Sequence, residues 1–162
     1  MKKLYYVTAI GIITLTAITV SATYLITNTR TIERPIIAPA RVFDINKDDL
    51  LTYTNKLRTE KLPGKALVAD AALEQTAAAK CADMVEKNYF DHRLWRDLVA
   101  PLHRVYTSEN IAQGFYTSRE VVKGWEESLS HYEAIINTHY TRVGFGICSQ
   151  DDRRIVVQHF SS

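Results

Sequence analysis

The sequence is poor in most of the residues that announce a chemistry outright. Its two cysteines, Cys81 and Cys148, are too few for a disulfide-dominated scaffold and too far apart for a zinc knuckle. Lys and Arg number 20 against 18 Asp and Glu, and the net charge of +2 gives no electrostatic reason to expect nucleic acid or an anionic surface as partner. No Lys/Arg block and no interleaving of aromatic with basic residues occurs, which argues against a nucleic-acid role on patterning as well. Internal repeats and low-complexity tracts are missing. So is any Gly-x-Ser-x-Gly turn that would present a serine nucleophile. What remains, with 23% charged and 10% aromatic residues, is not the composition of a disordered chain.

The N-terminus carries the one long apolar run. Met1-Lys2-Lys3 precedes Leu4 to Ile26, a stretch without charge although Thr and Ser interrupt it. At the helical rise this run reaches ~34 Å, which matches a bilayer core of ~30 Å. The two lysines favour a cytoplasmic N-terminus with the remainder exported. Two readings stand: an uncleaved single-span anchor, and a signal peptide cleaved after the small residues Val20-Ser21-Ala22. Apolar residues continue through Tyr24, Leu25 and Ile26, which favours the anchor. Either reading puts the rest of the chain outside the cytoplasm, membrane-anchored in the first case and secreted in the second. Residues 1–27 are assigned to this segment and residues 28–46, with Pro35 and Pro39, to an extended tether. Residues 47–162 form the domain, roughly 110–120 residues long, enough for one core.

Within the domain, Asn46 or Asp48 is positioned to cap a first helix. Leu50, Leu51, Thr54, Leu57 and Arg58 set its spacing, and Leu62-Pro63-Gly64 ends it. Asp70 caps a second helix with Leu73, Ala77, Cys81, Met84 and Val85 on one face, running to about Asn88. Its Ala77-Ala78-Ala79 makes that face thin, as close packing on a sheet requires. Phe90 is expected as a core anchor that fixes the direction of His92. Residues 93–107 mix apolar with charged side chains and are expected as a rim loop with one helical turn. Glu109-Asn110-Ile111-Ala112 is expected as a short extended or turn segment. Thr117 and Glu120 have capping-box spacing and open a third helix with Val121, Val122, Trp125 and Leu129 inward and His131 just past its end. A strand over residues 142–147 carries Val143, Phe145 and Ile147 on one face and Gly144 and Gly146 on the other, so that something packs closely on the glycine face. A polar turn over residues 149–154 leads to an antiparallel partner over residues 155–160.

In their order and spacing these residues resemble the CAP superfamily of cysteine-rich secretory proteins, venom antigens and pathogenesis-related proteins, and its bacterial branch most closely. The resemblance is carried by Asn55-Lys56-Leu57-Arg58, Met84 with Asn88-Tyr89-Phe90-Asp91-His92, Glu109-Asn110-Ile111-Ala112, and Trp125-x-x-Ser128 with His131. Tyr140-Thr141-x-Val143-Gly144-x-Gly146 and Val157-Gln158-x-Phe160 complete it. It implies an α+β fold: a three-layer α-β-α sandwich around a small, mainly antiparallel sheet. It also implies a central cleft, where many members hold two His and two Glu. His92 and Glu109 match the first pair and His131 the second His. The second Glu would fall at Ser128, so the tetrad is incomplete and catalysis is the weaker expectation.

The candidate site is therefore His92, Glu109 and His131. Asn110, Ser128 and Trp95 are further ligand-binding candidates, although Asn110 equally suits a role in tying down backbone. Two imidazoles and a carboxylate suit Zn²⁺ or another divalent metal with an open position for water, and His92 and His131 are the metal-ligating candidates. The same groups suit acid–base work, or a hydrogen-bonded cluster that only orders the cleft. His103, His139 and His159 are expected as solvated or internally satisfied residues, His103 being the nearest to the rim. Cys81 and Cys148 read either as a disulfide of an exported domain or as two separate thiols. Three functions fit: a membrane-tethered binding module for a lipid, glycan, peptide or protein; a hydrolase, a protease or cell-wall enzyme, using His92, Glu109 and His131; or an interaction protein with a vestigial cleft.

Overall fold

The computed structural model describes residues 42–162; the expected membrane segment and most of the expected tether lie outside them. Among the described residues no helix is long and apolar enough to cross a membrane. The end of the expected tether is tied to the domain. Asp44 pairs with Thr117, and Phe43 stacks on Tyr116 with ring centroids 5.0 Å apart.

Helix α1, Lys47–Lys61, is capped by Asn46, whose Oδ1 accepts from the Asp49 amide at 2.9 Å. Strand β1, Val68–Ala69, leads through the cap Asp70 into α2, Ala71–Glu86. The expected rim loop contains α3, Trp95–Val99, and a 3-10 turn, Ala100–Leu102. Strand β2, Thr107–Gln113, is longer than the short segment expected around Glu109. The capping box of Thr117 and Glu120 opens α4, Ser118–Glu126, and α5 follows as Leu129–Ile135. Strands β3, Arg142–Gln150, and β4, Arg153–Ser161, form a hairpin closed at Asp151, whose φ is 55°. The ladder runs to Gln150↔Arg153, so most of the expected polar turn is strand.

The sheet order is β1-β3-β4-β2, with β1 parallel to β3 and the other two pairings antiparallel. Alternation along the strands separates two cores. Val143, Phe145, Val156 and Phe160 pack with Leu50 and Leu57 of α1, Val121, Val122 and Trp125 of α4 and Ile135 of α5. Ile111, Ile155 and Val157 pack on the opposite face against Ala77, Cys81 and Met84 of α2. Helices thus cover both faces of one small mixed sheet.

The glycine face of β3 meets α2 at backbone distance. A Cβ on Gly144 would stand 2.3 Å from the Leu73 carbonyl carbon, and one on Gly146 would stand 2.3 Å from the Ala77 oxygen. The Cys81–Cys148 disulfide, with Cα atoms 5.9 Å apart, fastens the same two elements. On the other side, Arg58 is fully buried. Its guanidinium donates to the carbonyls of Lys65, Ile135, Asn137 and Tyr140 and so joins α1 to the α5–β3 connection.

Two expectations about side chains are corrected. Phe90 is on the surface, 36% exposed, and Tyr89 is the residue that packs against the second core. Asn88 takes a left-handed φ of 51°, its amide bonds the Val85 carbonyl and the Tyr89 amide bonds the Met84 carbonyl. That Schellman ending folds the first residue after it, not the second, back on the helix. Leu129 is 72% exposed, because the third expected helix is two. Ser128 is extended (φ −106°, ψ 115°) and breaks the spacing that would have carried Leu129 below Trp125. His131 accordingly lies inside α5 rather than beyond a helix.

Candidate functional site

The site is built where the outer strand β2 meets the α2–α3 connection and the start of α5. His92, Trp95, Arg96, Ser108, Glu109, Asn110, Ser130 and His131 line a cleft of about 320 Å³. Two larger surface grooves, of about 490 and 460 Å³, contain no histidine.

Glu109 faces the α2 side of the sheet, directly across from His159 in the β2–β4 register. Its carboxylate is fully buried and holds an imidazole at each oxygen: His92 Nδ1 at 2.8 Å from Oε1 and His159 Nε2 at 3.1 Å from Oε2. A carboxylate accepts, so the proton of each pair sits on the ring nitrogen. His92 is left with Nε2 free, and its side chain is 53% exposed. His159 is buried and reaches on through Nδ1 to Thr76 Oγ1 of α2 at 2.8 Å.

The loop that delivers His92 is held from below by Lys80. This buried ammonium donates to Tyr89 Oη at 3.0 Å and to the carbonyls of Asp91 and Arg93 at 2.8 and 2.6 Å. Burial holds the Lys80 pKa below its ordinary value, against the opposing pull of Glu109, Asp91 and Asp83. Asp91, next to His92, is committed to Arg93, whose guanidinium pulls its pKa down to about 2.

His131 enters from α5. Asn110, on the opposite face of β2 from Glu109, donates through Nδ2 to the His131 carbonyl and to Gln158 Oε1, both at 3.1 Å. Gln158 continues to Thr54 at 3.2 Å. Asn110 thus fixes the backbone that carries His131. The His131 imidazole is held below its ordinary pKa, first by burial and then by the neighbouring His92.

The structure therefore gathers His92, Glu109, His131, Asn110 and Trp95 around one cleft and leaves Ser128 outside its lining, at the start of α5, where Ser130 lines it instead. Trp95 is mostly buried, with Arg96 stacked over it at 5.0 Å. His103 is exposed after the 3-10 turn and does not reach the cleft. His139 is exposed and stacks on Tyr106 at 4.2 Å. His159 is an internally satisfied residue, as expected, but its partner is Glu109, so it belongs to the site. Pairing the polar residues of the outer and last strands across the sheet is the signal that would have found it. Lys80 carried no signal, since nothing local marks a helix lysine as buried.

Two imidazoles and a carboxylate do not converge as a three-ligand metal set. Both Glu109 oxygens are occupied, and among the described residues no three His, Cys, Asp or Glu side chains surround one point. What faces the cleft is the pair His92 and His131, with Glu109 orienting His92 from behind in the manner of an outer-shell carboxylate.

Residues 51–160 match the model of the cysteine-rich secretory protein family, CAP. The Bacillus subtilis protein YkwD is 37% identical over 116 residues, covering 67% of this chain and 44% of its own length. The Bacillus subtilis membrane protein YlbC is 30% identical over 122 residues, covering 71% of this chain and 34% of its own length. The chain thus spans less than half of either relative. Among solved structures, an outer surface protein from Borrelia burgdorferi superposes with a TM-score of 0.64 at 28% identity, over 72% of this chain and 93% of that one.

Proposed function

Since this chain belongs to the CAP family of cysteine-rich secretory proteins, we propose that it is an extracytoplasmic binding module tethered by residues 4–26, with His92 and His131 as the groups that meet the ligand. The observation that carries this reading is the burial of Glu109. A carboxylate with no exposed side-chain surface and an imidazole on each oxygen positions a histidine and does not touch a substrate. Export is supported by the outer-surface and membrane relatives, and by the disulfide, a bond common in oxidising compartments and rare in the cytosol.

His92 and His131 are imidazole donors of the kind that hold a divalent cation, which is the simplest probe of the pair. The test is a calorimetric titration of the full chain in detergent micelles with Zn²⁺, beside the His92→Ala/His131→Ala double variant. Binding that disappears in the variant supports the pair, and identical binding in both proteins sinks it.

A hydrolase is the second reading, favoured by the His92–Glu109 contact. A carboxylate that fixes an imidazole with Nε2 toward solvent is the arrangement of a general base. Turnover of a peptide or peptidoglycan library, abolished in the same double variant, would raise it above binding.

A further inference from the structure

We infer that the cleft takes an extended acidic peptide segment, added as a strand to the outer edge of β2 at Glu109; this rests on the reading of the cleft as a binding site and names its ligand class. Strand β2 ends the sheet, so among the described residues one of its sides has no strand neighbour. The Ser162 amide bonds the Tyr106 carbonyl and the Gly114 amide bonds the Arg154 carbonyl, so the even-numbered residues turn their main-chain groups toward β4. The β2–β4 register is unbroken from Thr107 to Gln113. The odd-numbered residues therefore turn theirs outward, as the bond from Trp125 Nε1 to the Ile111 carbonyl at 3.3 Å shows.

Open strand edges invite pairing, and proteins protect them. Here the protection is selective. The Ile111 carbonyl is taken by Trp125, and the Thr107 carbonyl by Tyr140 Oη at 3.4 Å. Between them the main chain of Glu109 has no hydrogen-bond partner outside the sheet among the described residues, and Glu109 lines the cleft. Glu109 is 6% exposed as a residue and 0% exposed in its side chain, so the surface it offers is main chain. An amide and a carbonyl on one side of an edge strand are the pair that an extended peptide engages.

Charge selects the peptide. The ionisable side chains that face the cleft are His92, Arg96 and His131, all basic, while the acidic Glu109 is turned away into its imidazoles. Arg96 has no carboxylate partner among the described residues. In a strand paired with β2, the residue opposite Glu109 projects to the same face as the Glu109 side chain, beside His92 and Arg96, and its two neighbours project toward Ser130 and His131. A carboxylate at the paired position meets Arg96.

The test uses the full chain in detergent micelles and an array of short capped peptides with Glu or Lys at the centre of a β-branched sequence, followed by amide hydrogen exchange. In the free chain the Glu109 amide is expected to exchange at least about tenfold faster than those of Ser108 and Asn110. The best Glu-centred peptide slows it to their level. Methylating the peptide amide that faces Glu109, or introducing Arg96→Glu, weakens binding about tenfold, the worth of one good hydrogen bond or ion pair. A Glu109 amide already protected in the free chain overturns the inference. So does equal retention of Lys-centred peptides, or indifference to methylation. Zn²⁺ added to the same sample separates the two readings. Shifts of His92 and His131 without peptide protection keep the metal-binding pair and sink the peptide. Protection without those shifts keeps the peptide and sinks the pair.

Discussion

Opening the Cys81–Cys148 bond should cost the domain about 4 kcal/mol. The bond closes a loop of 67 residues, and the chain-entropy relation for a loop of that length gives about 4.4 kcal/mol at 25 °C, acting through the unfolded state. For a domain of roughly 120 residues each kcal/mol moves the melting temperature by about 3–5 °C, so the expected fall is ~12–20 °C. The measurement is urea unfolding of the oxidised chain, followed by tryptophan fluorescence, beside the chain reduced with a phosphine and the Cys81→Ala/Cys148→Ala variant. Cys81 is buried against the Ile155 carbonyl, so the variant adds a small cavity cost that reduction alone does not. A change below about 1 kcal/mol in both samples would refute the argument, because it would mean that the unfolded chain gains little freedom when the loop opens. Two alkylatable thiols in the folded, unreduced protein would refute the bond itself.

Four further outcomes follow from named contacts. Arg58→Met removes the donor from four carbonyls, and stranded buried acceptors at about 1–3 kcal/mol each should lower stability by at least ~3 kcal/mol, read by urea midpoint or failure to accumulate folded protein. Gly146→Val forces a side chain into the Ala77 backbone and should cost at least ~2 kcal/mol, again by urea midpoint. Glu109→Gln puts an amide where a carboxylate orients His92; Zn²⁺ affinity by calorimetry should fall ~10–100-fold, and an unchanged affinity would mean that His92 needs no orienting partner. His131 has a folded pKa below its ordinary 6.5, so the unfolded chain binds more protons in the window just below that value. Its contribution is therefore complete above pH 6.5 and is lost as pH falls through the folded pKa. Unfolding free energies measured from pH 7 to pH 5 should slope less for His131→Gln than for the parent chain.

Features written within a few residues were legible. The Asp70 cap, the thin face of α2, the box of Thr117 and Glu120 and the alternation around Gly144 and Gly146 each have a local cause, and each element forms as its cause requires. Misreadings fell where geometry is decided by a single backbone turn. Nothing in Glu127-Ser128-Leu129 declares an extended serine, and Tyr89 and Phe90 compete for one inward direction that the left-handed Asn88 settles. Contacts between distant segments were not legible from spacing. Glu109 and His159 are 50 residues apart and meet only because β2 pairs with β4 in one register. The layer order came from likeness to a family and not from periodicity.

The position of β4 has a consequence for how the domain comes into being. It is the last element of the domain in sequence, yet it lies inside the sheet, with β3 on one side and β2 on the other. Neither neighbour can complete its ladder until Arg153–Ser161 arrives, and Glu109 and Asn110 have no cross-strand partners before then. The sheet is therefore completed only when the last strand of the domain has been made. A stop placed ahead of Arg153 would release a polypeptide with two long open strand edges and no finished core.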